Sequence, residues 1–383
     1  MPGQDDLNVI YNSYQEEVHA LEDLIIQGNC VFLIGAGCSR IANLPLMADL
    51  TAKVVISSEL SDKSKQILQE VSKQFAGARD SNIEDYLSDI VDFLSIIDRR
   101  RNRGIVDSSL YIGNQSVSSN DLRTALEEIK QGIASAIQNP DDETDISVHR
   151  SFVKSVHRPT RPGKQTSTGK VTYINLNYDT LLEDALALEK IPFYDGIDGG
   201  ATGWWNYEKF FHKDVGTRVL KLHGSIDWTQ VDEDPLPRRI ASEKLHNVTN
   251  KQVMIWPAST KYRETQLDPF AQLLTLARHA LQSENQSEKV LVVLGYSFSD
   301  AHINSEIDRA LKNSEGSLTI IVLTSFDEPC GYLKNWYEDS SIKDQIRIYA
   351  NKGFYHGNEV KTSSTDLLWW KFENLVKLIR GEL

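Results

Sequence analysis

The sequence predicts an α/β protein: a Rossmann-like parallel sheet with helices on both faces, joined by a helical insertion. Two observations predict it. Short, uncharged runs rich in β-branched residues end abruptly on glycine or small polar residues, and from residue 171 onward such runs alternate with helical periodicities. Runs apolar throughout suit strands buried on both faces, and strand–helix alternation implies parallel pairing through right-handed crossovers.

The first such run is Val31-Phe32-Leu33-Ile34, which passes straight into Gly35-Ala36-Gly37-Cys38-Ser39. Glycines there permit a tight turn and close backbone approach, and a following helix offers its N-terminal amides to an anion. The motif is incomplete as a dinucleotide fingerprint, because its third glycine would fall at Arg40. The same residues also suit a strand-turn-helix whose glycines serve geometry alone. Three later segments repeat the pattern: Tyr173-Ile174-Asn175-Leu176-Asn177-Tyr178-Asp179, Val219-Leu220-Lys221-Leu222-His223-Gly224-Ser225-Ile226-Asp227-Trp228, and Val290-Leu291-Val292-Val293-Leu294-Gly295-Tyr296-Ser297. In a doubly wound sheet such polar ends sit at the carboxyl edge, where ligands bind.

Residues 7–27 carry a helical stripe (Leu7, Ile10, Tyr14, Val18, Leu21, Leu24, Ile25), and a helix is expected to open near Leu44-Pro45. From about 50 to 165 the texture is helical, with stripes at Ile83, Tyr86, Leu87, Ile90, Phe93 and Leu94 and at Leu122, Leu126, Ile129 and Ile133. Residues 158–169 read as a loop. Strands are expected at 171–176, 217–222, 252–256, 289–295, 317–323 and 345–350, with helices near 179–189, 266–284 and 300–313. Segment 192–206 reads as a loop, and Leu367–Ile379 as an apolar helix. The expected organisation is a sheet domain formed by 1–50 and 166–383, with 51–165 as the helical insertion.

Composition narrows the function classes. The 383-residue chain has a net charge of −13, which opposes broad attraction to nucleic acid; any such contact is expected to be indirect. Basic residues cluster locally at Arg99, Arg100, Arg101 and Arg103, and again at Arg150, Lys154, Arg158, Arg161, Lys164 and Lys170; a helix end and a solvated loop explain them. No apolar run is long enough to span a bilayer, and the acidic, polar N-terminus fits neither a secretory signal nor a transit peptide, so a cytoplasmic protein is expected. The three cysteines, Cys30, Cys38 and Cys330, form neither a CxxC pair nor a disulfide framework. Cys38 suits a small residue in a tight turn better than a reactive thiol.

The order Gly-Ala-Gly-x-Ser, Asn-Tyr-Asp-x-Leu-Leu-Glu, Lys-Leu-His-Gly-Ser-Ile-Asp-Trp and Gly-x-Ser resembles the NAD-binding core of sirtuins, and more narrowly the sirtuin-like domains of bacterial antiphage defence. The resemblance covers roughly residues 30–45, 170–228 and 290–325. Length and the helical region resemble the sirtuin-like subunit that partners a HerA-type ATPase. This resemblance implies NAD+ as substrate, with Gly35, Ala36, Gly37 and Ser39 at the pyrophosphate, Gly295, Ser297 and Thr324 toward the adenosine half, Asn177 and Asp179 beside the nicotinamide ribose, and His223 as general base. Imidazole suits that role because it ordinarily titrates near neutrality. Plainer readings stand beside these: His223 as a satisfied structural histidine, Asn177 as a helix cap, Asp300 as a helix start.

Two departures qualify the resemblance. Residues 229–252 contain no cysteine, so the zinc ribbon of protein-deacylating sirtuins is not expected, nor any bound metal. The Pro-Asp-Phe-Arg segment of sirtuins is replaced by Pro45-Leu46-Met47-Ala48, which loses a cationic contact. Water is then the simplest acceptor, so the resemblance implies an NAD+ hydrolase yielding ADP-ribose and nicotinamide. A homo-oligomer and an ATPase partner are expected on the same basis. A non-catalytic NAD-binding module and, less simply, a nuclease are the alternatives.

Overall fold

A computed structural model describes residues 10, 13–27, 29–77, 81–105, 110–140, 143–157, 171–200, 202–231, 234–240, 251–254, 267–282 and 288–380. In chain order its strands are β1 (Asn29–Ile34), β2 (Leu110–Ile112), β3 (Gln115–Val117), β4 (Val171–Asn175), β5 (Phe193–Tyr194), β6 (Ile197–Gly199), β7 (Thr202–Trp205) and β8 (Thr217–Lys221). Beyond these lie β9 (Gly224–Val231), β10 (Asp234–Ile240), β11 (Lys251–Met254), β12 (Lys289–Leu294), β13 (Leu318–Leu323), β14 (Ile346–Ala350), β15 (Gly353–His356) and β16 (Glu359–Thr362). The helices are α1 (Gln15–Gln27), α2 (Met47–Val55), α3 (Asp62–Gln74), α4 (Ile83–Asn102), α5 (Ser119–Gln138) and α6 (Ser147–His157). Five more lie among the described residues: α7 (Leu181–Leu188), α8 (Phe270–Leu281), α9 (Ala301–Asn313), α10 (Gly331–Glu338) and α11 (Phe372–Arg380).

The central sheet has the order β16-β15-β14-β13-β12-β1-β4-β8-β5. It is parallel from β14 through β5 and antiparallel at β15 and β16. β1 lies in the middle, with Val31 paired to Leu291 of β12 on one side and to Thr172 of β4 on the other. After β1 the chain builds β4, β8 and β5 on one flank, then crosses to build β12, β13 and β14 on the other. The gap between β1 and β12 is therefore the topological switch point, where open α/β sheets form their ligand crevice.

Both faces of the sheet are covered, which explains why its strands are apolar throughout. Val31 and Leu33 face one core with Leu273 and Ala277 of α8, Ile303 and Ile307 of α9, and Trp336 of α10. Cys30, Phe32 and Ile34 face the other with Val18 and Leu21 of α1, Phe152 of α6, Leu182 of α7 and Leu375 of α11. A third core lies among α2, α3, α4 and α5, where Leu50, Ile67, Leu87, Ile90, Leu126 and Ile129 are buried. The long helices of this region start at capping boxes: Asn82 with Asp85 for α4, and Ser118 with Asp121 for α5. Ile226 of β9 and Tyr178, after β4, also belong to this third core.

Several expectations need correction. Segment 192–206 is not a loop: it supplies β5, β6 and β7. The strand expected near 252–256 is described at Lys251–Met254 and leaves the parallel sheet, pairing antiparallel with β9 in a second sheet ordered β11-β9-β10-β7-β6. The alternation in β7 was hidden because glycine occupies one inward position: Gly203 and Trp205 are buried while Thr202 and Trp204 are exposed. A Cβ on Gly203 would sit 2.4 Å from Ile197 Cγ2. At the C-terminal end the helix starts only at Phe372. Trp369 precedes it in a turn, with its indole N–H donating to Ala350 O at 2.7 Å. The helix expected near Leu44-Pro45 opens at Met47, after a 3-10 helix at Ala36–Ala42. The loop expected at 158–169 lies outside the described residues. Arg99, Arg100 and Arg101 occupy the last turn of α4, where cations suit the helix dipole, and Arg150 and Lys154 pair with Glu189 at 2.7 and 3.1 Å.

Phe152 fixes α6 to the sheet, with its ring 5.4 Å from Phe32 and 5.1 Å from Phe372, centroid to centroid. Phe152→Ala is expected to cost about 3–5 kcal/mol in urea-induced unfolding. A loss below about 1 kcal/mol would show that this core closes over the gap.

Candidate active site

Five strand ends line one edge of the sheet. In spatial order they carry Thr324 after β13, Gly295 after β12, Gly35 after β1, Asn175 and Asn177 at and after β4, and Lys221 and His223 at and after β8. The switch point is closed by backbone contact. Gly35 N–H donates to Leu294 O and Gly37 N–H to Gly295 O, each at 2.9 Å. Gly295 has φ +60°, and a Cβ there would lie 2.5 Å from Cys38 N, so only glycine fits.

Asn177, after β4, is tied to the glycine turn that follows β1. Its Nδ2 donates to Gly35 O at 3.1 Å and to Ser39 Oγ at 2.9 Å. Ser39 Oγ in turn donates to Asp179 Oδ2 at 2.7 Å, and Asp179 Oδ1 accepts the Leu181 N–H at 3.1 Å, at the start of α7. All three side chains are buried. The two donated bonds fix the amide's orientation, leaving Asn177 Oδ1 as a buried acceptor with no hydrogen bond among the described residues. A hydroxyl or carboxamide donor would satisfy it, as a nicotinamide riboside provides. Asn177 and Asp179 thus act on the glycine turn and on α7 together.

The turn itself differs from the expected anion cradle. It leads into a seven-residue 3-10 helix, Ala36–Ala42, rather than an α-helix. Gly37 N–H is spent on Gly295, and Cys38 N–H on Gly35 O at 3.0 Å. Ala36 and Gly37 are exposed at the mouth. Ser39 is held by Asn177 and Asp179 rather than presented outward. Burial and the field of Asp179 push the Cys38 thiol well above its ordinary range, so it packs as a small apolar group.

His223 is buried where the chain turns from β8 into β9. The backbone sets it beside the β4 loop, since Leu222 N–H donates to Asn175 O and Ile226 N–H to Tyr178 O. Its ring lies 6.5 Å from that of Tyr178 and 5.5 Å from that of His302, centroid to centroid. Gly35, Ser39, Asn177, Asp179 and Gly295 are therefore in direct contact, with His223 adjoining through the Asn175–Tyr178 segment. Ser297 and Thr324 share the edge but bond within their own loops. Ser297 Oγ is 2.9 Å from Ser299 Oγ, and Thr324 Oγ1 accepts the Phe326 N–H at 3.3 Å. Asp300 sits at the N-cap of α9.

Sequence reasoning assigned no role to two residues here. Lys221 is fully buried; its Nζ donates to Asp179 O and pairs with Glu183 at 3.1 Å. A lysine inside Val-Leu-Lys-Leu was the available signal, because a buried ammonium needs partners. His302, in the first turn of α9, comes after the β12 strand end, and that position was its only signal. Nearby, Arg239 joins Asp227 Oδ2 at 2.6 Å and also Asp195, binding β10 to β9 and to the end of β5. A cleft of about 600 Å³ between α9 and α10, lined by Asp308, Arg309, Lys312, Tyr332 and Trp336, is separate from these strand ends. Its Lys312 and Trp336 side chains are both spent on Asp308.

Burial pushes the Glu183 carboxyl up to about 7, against the pull of Lys221. The folded state therefore holds this proton more tightly than the unfolded chain does. That stabilisation is complete below the ordinary value of 4.5 and is lost as pH rises through about 7. Lys221→Met should cost about 3 kcal/mol or more at pH 8, where Glu183 must either stay ionised without its partner or be forced to take up a proton, and clearly less at pH 5, where Glu183 is neutral. Chemical denaturation at the two pH values checks this; equal losses would mean that the pair does not form.

Among the described residues, no group of three or more His, Cys, Asp or Glu side chains is arranged to hold a metal ion, and no helix is long and apolar enough to cross a membrane. The SIR2-like domain family matches residues 171–345, which takes in Asn177, Asp179, Lys221, His223, Gly295 and His302 but starts after β1 and its glycine turn. No curated protein matches the chain. The strand ends that carry the buried amide and imidazole thus lie within the stretch that is similar to SIR2-like domains.

Proposed function

We propose that this chain is an NAD+ glycohydrolase, converting NAD+ and water to ADP-ribose, nicotinamide and a proton. The observation that carries the reading is the buried, unsatisfied Oδ1 of Asn177 at the switch point of a SIR2-like domain, next to the strand end that supplies His223. Cleavage of the nicotinamide–ribose bond passes through an oxocarbenium-like state. Asn177 is suited to orient the ribose or carboxamide, and Asp179 to hold Asn177 and Ser39 in place. His223 is suited to take a proton from the attacking water. With the zinc ribbon unsupported by any cysteine in 229–252, water serves better as acceptor than an acyl-lysine peptide.

In this reading the enzyme depletes NAD+ as the effector of a bacterial antiphage system in the cytoplasm, working as a homo-oligomer with a HerA-type ATPase. The support is the sequence resemblance. A second reading, a module that binds NAD or ADP-ribose without turnover, draws on the same Asn177 acceptor, which would hold a ligand donor whether or not the ligand reacts.

The test is nicotinamide release from NAD+, with and without the neighbouring ATPase. Asn177→Ala and His223→Ala should each lower the rate by about 100-fold or more, the range for losing a proton-transfer or positioning group. Equal rates in all three proteins remove the catalytic assignment. Calorimetric binding of NAD+ without turnover, even with the ATPase present, selects the second reading.

A further inference from the structure

We propose that His302 is the positioning and proton-relay partner of His223, supplied from the opposite bank of the crevice; the inference rests on the glycohydrolase reading. His223 comes from the flank built by β4 and β8, whereas His302 stands on α9, directly after the β12 strand end on the other flank. Their ring centroids are 5.5 Å apart with planes inclined at 40°, and Tyr178 lies on His223 from a third element. The Nε2 atoms of both imidazoles are buried, His223 as a whole is 5% exposed, and His302 is half-buried.

The chemistry requires an exit for one proton per turnover. A bond forms from the water oxygen to the ribose carbon, the carbon–nitrogen bond breaks with its electron pair leaving on nicotinamide, and the water's proton goes to His223. A buried imidazolium must discharge before the next cycle. His302 is the neighbouring imidazole, with its ring centroid 5.5 Å away, close enough to take the proton through one water. The groups facing it balance its charge. Glu306, one turn along α9 and clamped by Arg278 at 2.6 Å through both oxygens, favours the cation, as does Asp300 at the helix start. The N-terminal end of α9 disfavours it. On the His223 side, Lys221 is turned to Asp179 and Glu183. In this arrangement the proton passes outward to His302 rather than being stored on His223.

The experiment uses the full chain, with His302→Gln and His302→Asn as independent variants. Side-chain nuclear magnetic resonance of the histidines should show His223 titrating in a coupled curve in the wild type and in a single step in both variants. An unchanged His223 curve overturns the pairing whether or not the protein turns over NAD+. In nicotinamide release, both variants should lose about 10- to 100-fold in kcat with KM nearly unchanged, and their pH–rate profiles should shift, with partial recovery on adding free imidazole. If the wild type is active and the variants match it in kcat and pH profile, the relay fails and the glycohydrolase stands. If the wild type releases no nicotinamide, the glycohydrolase reading fails and the relay loses its reaction.

Discussion

A buried knot of hydrogen bonds, Asn177 to Gly35 and Ser39, and Ser39 to Asp179, holds the candidate site in place. It joins residues about 140 positions apart and crosses from β1 to β4 beside the switch point of the sheet. Each such bond contributes only about 1 kcal/mol net, but a buried donor or acceptor left unpaired costs about 1–3 kcal/mol. The knot therefore acts less as glue than as a specification: the glycine turn, the Asn177 amide and the start of α7 have one mutually satisfied arrangement. The one polar atom of the knot left over is Asn177 Oδ1, a buried acceptor with no hydrogen bond among the described residues.

Around this knot the protein accepts features that a purely structural core would avoid. A fully buried lysine and a carboxylate pushed up to about 7 lie beneath the Asp179 loop, and an imidazole is closed off between Tyr178 and His302. Buried charge contributes little to stability on its own, because desolvation offsets the Coulombic gain. Such groups gathered at the carboxyl ends of adjacent parallel strands are what a functional edge looks like in physical terms.

Much of this frame was legible in the sequence. The strands β1, β4, β8, β12, β13 and β14 announced themselves because strands buried on both faces must be apolar throughout, and their polar ends marked the edge where a site would sit. Of the second sheet only β11 was anticipated, and as a member of the parallel sheet; β7 was hidden for the converse reason, since glycine holds an inward position and Trp204 an outward one, which masks the period-two signal. Within the site, Asn177 and His223 were conspicuous as polar ends of apolar runs. The use of Ser39 as a tether to Asp179 was not, because nothing local links positions 140 residues apart. His302 had only its position after the β12 strand end to mark it, since its meaning comes from the ring it faces across the crevice.

The most direct measurement is a crystal structure of the chain with NAD+ or a slowly hydrolysed analogue bound. The nicotinamide ribose should lie at the strand ends, with a hydroxyl or carboxamide donor within hydrogen-bonding distance of Asn177 Oδ1 and the His223 imidazole facing the reacting carbon. A ligand seated instead in the cleft between α9 and α10, with Asn177 and His223 unchanged and out of contact, would contradict the assignment.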